Sequence, residues 1–324
     1  MQNETEPKFT SQFQREVYQG LTAYPKYLSS KYIYDKAGDK LFQDIMAMPT
    51  YYLTDTEFLI LEKHKEEIAS YFSNGDSFFH LIEMGAGDGK KTKILLRHFT
   101  EKDINFTFRP IDISQNALDS LKKNLEIEIP GLKTEPLQGT YFETLETLHF
   151  NSEERKVILF LGSNIGNLLH EQAIEFLSKV QSYMQPNDLL FIGFDQKKNP
   201  QTILNAYNDQ EGITAAFNKN LLVRINRELH ANFKLDKFIH WEVYDPETGT
   251  AKSFLVSKEN QKVHIADLGL NLSFEAWETI HTEISQKYDD QTVKWLAEKS
   301  GLQVITEFTD STNYYKNYLF KKSV

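Results

Sequence analysis

The run from Phe78 to Phe99, FFHLIEMGAGDGKKTKILLRHF, constrains the fold more than any other part of the chain. Its apolar opening, Phe78 to Ile82, has the length and continuity of a buried strand, while Ile94, Leu95, Leu96 and Phe99 recur at helical spacing. Between them stand Glu83 and three glycines, Gly85, Gly87 and Gly89. Glycine accepts positive φ and lets a ligand approach where a Cβ would collide, and the free N–H groups of a helix start favour an anionic group. The stretch predicts strand, turn and helix, with the turn as a cofactor site; a purely structural turn is the alternative.

The dinucleotide fingerprint needs a glycine at its sixth position, which counted from Gly85 is Lys90. No GxxxxGK[ST] sequence supports nucleotide hydrolysis either. The next strand, Phe106 to Ile113, carries Asp112 at its carboxyl end, where a carboxylate can accept both hydroxyls of a ribose. An acid-led glycine turn without dinucleotide spacing, followed by a ribose acid, fits S-adenosylmethionine. The methionine carboxylate of that cofactor can use the helix start and Lys90 or Lys91.

Downstream the strand–helix rhythm continues. Helix 115–126, a strand near Lys133 to Leu137, strand Lys156 to Leu161, helix Glu171 to Met184 and strand Asp188 to Phe194 predict a parallel, doubly wound sheet. After Leu161 comes Gly162-Ser163-Asn164-Ile165-Gly166-Asn167, a second glycine-bearing loop at a strand's carboxyl end. Ligands of open α/β sheets bind at those ends, so Asn167 shares a rim with the first turn; a plain turn and helix cap is the alternative.

Three helices, Gln12 to Leu21, Asp39 to Met48 and Thr54 to Phe72, precede the first strand, and Tyr34, Asp35, Tyr51 and Tyr52 sit near their ends. From Asp195 to about Ser285 the rhythm stops: helices at Pro200 to Tyr207 and Gly212 to Glu228 lead into alternating segments at Phe238 to Tyr244, Ala251 to Val256, Lys262 to Ala266 and Glu278 to Ile284. That region reads as an insertion. Helix 289–300 and strands Gln303 to Phe308 and Tyr314 to Phe320 then close the sheet, the last two antiparallel because so few residues join them. The expected division is a cofactor-binding domain of 61–194 and 286–324 and an α+β substrate domain of 1–60 and 195–285.

Composition narrows the function. The net charge of −10 argues against a nucleic-acid partner, and the absence of cysteine removes disulfides and thiolate metal sites. The polar opening, MQNETEPKFTSQFQREV, shows no signal peptide and no membrane span, so a cytoplasmic protein is expected. A monomer that uses no metal is a separate expectation.

Taken together, YDKAGDKLFQDIMAMPTYYLTDTE, LIEMGAGDGKKT, PIDIS, FLGSNIGN, AYNDQEGITAAFNKNLLVRINREL, YDP and TEISQKY resemble the histidine Nα-methyltransferases of ergothioneine biosynthesis. The resemblance covers nearly the whole chain and implies a class I, Rossmann-like methyltransferase sheet beside a separate substrate domain. It implies cofactor contacts from Gly85, Lys91, Asp112 and Tyr141. For an amino acid substrate it implies that Tyr34, Asn167 and Tyr207 hold the carboxylate and amino group, with Tyr51 beside the amine, and that Glu283 and Ser285 bond the imidazole. Tyr51 and Asn167 are the candidate catalytic residues.

The chain departs from the usual family pattern at Thr140, often an acid; at Ser253, often a methionine; and at Leu53 and Asp55, where proline and arginine are usual. Four readings stay open: methylation of the α-amine of histidine, to the trimethylated product; the same chemistry on another amino acid such as a tryptophan derivative; a non-catalytic amino acid or nucleoside binder; and an oxidoreductase.

Overall fold

The computed structural model describes residues 9–73, 77–151 and 154–323. The first eight residues of the polar opening lie outside the described residues. α1 (Gln12–Thr22) is capped by Ser11, whose Oγ accepts the Gln14 N–H at 3.2 Å. A two-residue strand, β1 (Lys26–Tyr27), precedes α2 (Lys36–Met46), where Asp35 Oδ1 accepts the N–H groups of Ala37 and Gly38 at 3.1 and 2.9 Å. α3 (Leu53–Ser73) follows as one unbroken helix.

Strands and helices then alternate as β2 (Phe79–Met84), α4 (Thr92–Glu101), β3 (Phe106–Asp112), α5 (Gln115–Glu128), β4 (Leu137–Gln138), α6 (Tyr141–Asn151), β5 (Lys156–Phe160), α7 (His170–Ser182) and β6 (Leu189–Asp195). After α8 (Pro200–Tyr207) and α9 (Ile213–Glu228) come five strands, β7 (Phe238–Asp245), β8 (Thr250–Ser257), β9 (Gln261–Ile265), β10 (Leu270–Phe274) and β11 (Thr279–Gln286). The chain closes with α10 (Asp290–Lys299), β12 (Leu302–Thr309) and β13 (Tyr315–Lys322).

By its internal contacts the chain forms two compact units. One holds the described residues up to Tyr52 together with Lys198–Ser285; the other holds Leu53–Lys197 and the described residues from Gln286 onward. The first cut falls at Tyr52 rather than at 60, because Leu53, Glu57, Ile60 and Leu61 are buried positions of the same helix. The second falls beyond 194, since Asp195 completes β6 and Gln196 bridges Tyr288 in parallel.

In the second unit the strand order is β12-β13-β6-β5-β2-β3-β4. β4, β3, β2, β5 and β6 run parallel, and β13 is antiparallel to both β6 and β12, as the short closing connection predicts. The two-residue period of a strand sends Phe79, Leu81, Val157, Leu159 and Phe191 to one face, packed with Ile60, Leu61 and Phe72 of α3 and Leu95 and Phe99 of α4. It sends Ile82, Met84, Ile158, Phe160 and Ile192 to the other, against Leu145 of α6, Leu177 of α7 and Leu296 of α10. Continuous apolar strands are thus buried on both sides, and the order reverses between β2 and β5, the switch point where such sheets bind ligands.

In the first unit a sheet of order β1-β11-β8-β7 and the β9–β10 hairpin share a core with the helices. Val17, Leu21 and Ile45 from the N-terminal segment meet Phe217, Leu221, Leu255 and Ile280 from the later one. Among the described residues no helix is long and apolar enough to cross a membrane.

Three elements escape the sequence pattern: β1, too short to show a period; β10; and α6. Conversely, the strand expected near Lys133 to Leu137 shrinks to β4. Pro136 has no N–H to offer a ladder, and the pairing upstream of it is a single bridge between Phe108 and Thr134.

Candidate active site

The turn after β2 begins at Gly85, with φ +76°, whose N–H donates to Ile111 O at 3.2 Å and so keeps the turn tied to β3. A Cβ built on Gly85 would lie 2.6 Å from the Tyr141 hydroxyl oxygen, whereas one on Gly87 (φ +54°) would meet nothing within 4 Å. The turn is closed on one side by Tyr141 and open in front. At the entry to α4 the Lys91 side chain makes no cap hydrogen bond, and Asp88 Oδ1 accepts the Lys90 N–H at 3.0 Å.

Tyr141 is the first residue of α6. Its position is set by a capping box: the Glu143 N–H donates to Thr140 Oγ1 at 3.4 Å and the Thr140 N–H donates to Glu143 Oε2 at 3.3 Å, which also accepts the Thr140 hydroxyl at 2.6 Å. The Thr140 departure is therefore a helix cap. The Tyr141 phenol is pushed up to about 12, by burial first and then by Asp112 and Glu83. Asp112 ends β3 and lends Oδ1 to the Ser114 N–H at 2.8 Å, which fixes the carboxylate's direction at the strand end.

Glu83 tests whether these residues fit a nucleoside bearing an amino acid. It is fully buried, accepts a hydrogen bond from Thr92 Oγ1, and its Oε2 has no partner among the described residues. An oxygen left open on a buried carboxyl at this turn is a place for a polar ligand group, and an ammonium, as S-adenosylmethionine carries, would draw the carboxyl to its ionised, accepting form. Burial pushes the carboxyl up to about 8, with Thr92 and Lys91 opposing the rise and Glu57 and Asp88 adding to it.

The raised pKa makes a stability prediction. From its ordinary 4.5 to about 8 the folded protein holds a proton that the unfolded chain has lost, so this group's contribution declines as pH rises through that window and is flat above it. The Glu83→Gln variant, which cannot titrate, is expected to gain stability relative to the native protein by up to about 1.4 kcal/mol per pH unit across the window. Urea unfolding at pH 5, 6.5 and 8.5 measures it, and parallel curves for the two proteins would refute it.

The loop after β5 carries Gly162 (φ +80°), Ser163 and Asn164. Asn164 Nδ2 donates to Leu161 O at 2.9 Å and lies 4.0 Å from the Cβ position of Gly85, so the loop and the glycine turn adjoin. Ser163 Oγ accepts the Asp195 N–H at 3.1 Å, and the Tyr288 hydroxyl donates to Ile165 O at 3.1 Å. Asn167 ends this segment exposed, two residues ahead of Leu169, which caps α7; it is a rim residue rather than the helix cap. Lys91 Nζ lies 2.5 Å from Glu57 Oε2 and 3.4 Å from the Cβ position of Gly162.

The other unit gathers Tyr34, Tyr51, Tyr207, Glu283 and Ser285. The Tyr207 hydroxyl shares a hydrogen bond with Ser285 Oγ at 2.8 Å, and the Tyr51 and Tyr207 rings meet edge to face at 6.0 Å. Tyr34 stands edge-on to Phe42 and Phe217 at 5.6 and 5.4 Å. It keeps 39% of its surface exposed, while the protein crowded around the phenol, and then Glu283, Tyr51, Tyr207 and Asp39, push its pKa well up, so the hydroxyl stays neutral. Five of the six residues assigned to the amino acid thus come together within this unit, and Asn167 lies on the loop of the other. Ser253 is buried and donates to Glu242 Oε2 at 2.6 Å, which commits its hydroxyl to the neighbouring strand. Leu53 is buried at the start of α3, and Asp55 takes the exposed first-turn place that suits an acid.

Two participants were not singled out from the sequence: Asn164, between the two glycine-bearing segments, and Glu57, a buried acid facing Lys91.

A glycine turn and a strand-end carboxylate at the switch point of a parallel sheet form a site of the kind that takes a nucleoside cofactor. Residues 13–322 match the family model described as histidine-specific, SAM-dependent methyltransferase. The chain is 36% identical over 296 residues to the histidine N-alpha-methyltransferase of Mycolicibacterium smegmatis, covering 91% of this chain and 90% of that one. It is 34% identical to the Mycobacterium tuberculosis protein of the same name, with the same coverage. Ergothioneine biosynthesis protein 1 of Schizosaccharomyces pombe is 29% identical over 303 residues, 91% of this chain but 39% of that longer protein. The chain belongs to the histidine-specific, S-adenosylmethionine-dependent methyltransferases.

Proposed function

We propose that the protein methylates the α-amino group of free L-histidine, repeatedly and to the trimethylated product. The observation that carries this reading is the tyrosine cluster with one carboxylate and one hydroxyl, Glu283 and Ser285, on the same strand. Family membership supports it.

Gly85, Lys91, Asp112, Tyr141 and the open oxygen of Glu83 would hold the cofactor. S-adenosylmethionine supplies a methyl group already activated on a sulfonium, so the protein's task is binding and orientation. A carboxylate accepts the N–H of one imidazole nitrogen, and a hydroxyl serves the other nitrogen in either sense, so Glu283 and Ser285 read a ring with two separated nitrogens. The Tyr207 hydroxyl, already engaged with Ser285, fixes that serine's direction.

Attack requires the amine's lone pair, so a neutral amine must be bound or generated. Tyr34, whose phenol is pushed well up by desolvation and then by Glu283, would orient the substrate as a neutral hydroxyl rather than act as a phenolate base. The oxygens of Tyr51, and of Asn167 in the other unit, are acceptors of the kind that bond amine N–H groups without taking up the lone pair. Once the nitrogen is quaternary, the faces of Tyr34 and Tyr51 favour the cation.

Mass spectrometry of histidine incubated with the protein and S-adenosylmethionine tests the proposal, with mono-, di- and trimethylated products expected in succession. A higher kcat/KM for a tryptophan derivative or another amino acid would replace the substrate, and bound cofactor with no transfer to any amine would make the protein a binder.

A further inference from the structure

Glu57 sits near the start of α3, and its side chain is fully buried. A buried carboxylate is tolerated only when its oxygens are taken up by donors. Oε2 accepts both Lys91 Nζ at 2.5 Å and the Gly162 N–H at 2.8 Å, while Oε1 accepts Asn317 Nδ2 at 2.9 Å. Space for the group is kept by Gly193 on β6: a Cβ there would stand 2.2 Å from both Glu57 Oε1 and the Tyr315 hydroxyl oxygen. A single carboxylate oxygen thereby ties the turn after β2, through Lys91, to the loop after β5, through Gly162.

The Lys91 side chain remains about one-fifth exposed, and an ammonium has three donors, of which Glu57 takes one. A lysine left alone samples many rotamers, and ordering it is a cost charged to whatever ligand orders it. With the ammonium anchored beforehand, that cost is removed from binding. We propose that Glu57 is a positioning residue for the cofactor: it holds Lys91 and the Gly162 loop in the arrangement that receives the carboxylate of S-adenosylmethionine. This rests on the reading of Lys91 as a cofactor contact. The far end of the Gly162 loop has its own anchors, the Ser163–Asp195 and Ile165–Tyr288 hydrogen bonds, so loss of Glu57 should not displace Asn167.

The test is a double-variant cycle on cofactor affinity. Calorimetric titration with S-adenosylmethionine is carried out on the native protein, Glu57→Gln, Lys91→Met and the pair, alongside KM for cofactor and for histidine. Each single change is expected to weaken cofactor binding about ten- to a hundredfold, the range of one charge-assisted hydrogen bond. The double variant should be no weaker than Lys91→Met, and the KM for histidine should stay within about twofold. Additive losses, or a Glu57→Gln protein that melts earlier but binds the cofactor normally, would overturn the positioning role. Unchanged binding in Lys91→Met would instead remove the Lys91 contact itself, and the positioning role with it. Should Glu57→Gln not fold, Glu57→Asp, which keeps the charge but withdraws it by one methylene, enters the same cycle with the same criteria.

Discussion

Replacing Glu283 with alanine is expected to raise the KM for histidine about a hundredfold and to leave affinity for S-adenosylmethionine unchanged. The size follows from what the carboxylate does in the proposed complex. It accepts the imidazole N–H in a surrounding of tyrosine rings, where a hydrogen bond to a charged group contributes about 1.5–3 kcal/mol and an unmet donor on the substrate adds its own desolvation penalty. Glu283 stands on the same strand as Ser285, whose hydroxyl meets Tyr207, and after desolvation it is the next cause of the rise in the Tyr34 pKa. Selectivity of the effect follows from the sequence of roles, since none of the residues assigned to the cofactor belongs to the same compact unit as Glu283. Glu283→Gln keeps an acceptor but loses the charge, and should fall about midway, near tenfold. Calorimetric titration of histidine into each variant separates affinity from turnover, and native-like histidine binding by Glu283→Ala would remove the imidazole assignment.

How far the sequence reached depended on the range of the interactions involved. β2, β3, β5 and β6 were legible because strands buried on both faces must be apolar without interruption, and their order in the chain dictated a parallel sheet. The glycine turn was legible because positive φ leaves a mark in residue type. Helix α6 was not read from its apolar pattern, yet it had a local signature, Thr140 followed three residues later by Glu143, which is a capping box and also explains why an uncharged residue stands at 140. Glu57 had no such signature. An acid in the first turns of a helix is ordinary, and what makes this one exceptional is burial by partners 34, 105 and 260 residues away. Ser253 shows the same limit: its partner Glu242 lies across a strand pair whose register no local pattern announces.

Gly85→Ala is expected to lower stability by about 2–3 kcal/mol and cofactor affinity by about a hundredfold, and the comparison with Gly87→Ala separates the causes. Both glycines have positive φ, +76° and +54°, so alanine at either place carries the backbone strain of about 1–2 kcal/mol. Only at Gly85 does the new methyl also collide, at 2.6 Å from the Tyr141 hydroxyl oxygen; at Gly87 it meets open space. Tyr141 has little freedom to withdraw, because the Thr140–Glu143 cap fixes its backbone and its ring packs edge to face on Phe160 at 6.0 Å. Displacing the phenol would disturb a residue assigned to the cofactor, which is why affinity is expected to fall together with stability. Removing the hydroxyl in Gly85→Ala/Tyr141→Phe should therefore recover the collision part of the loss while the strain part remains. Urea unfolding and titration with S-adenosylhomocysteine on the three variants provide the test. Equal stability losses at Gly85 and Gly87, with no recovery in the double variant, would show that the tyrosine does not close the turn.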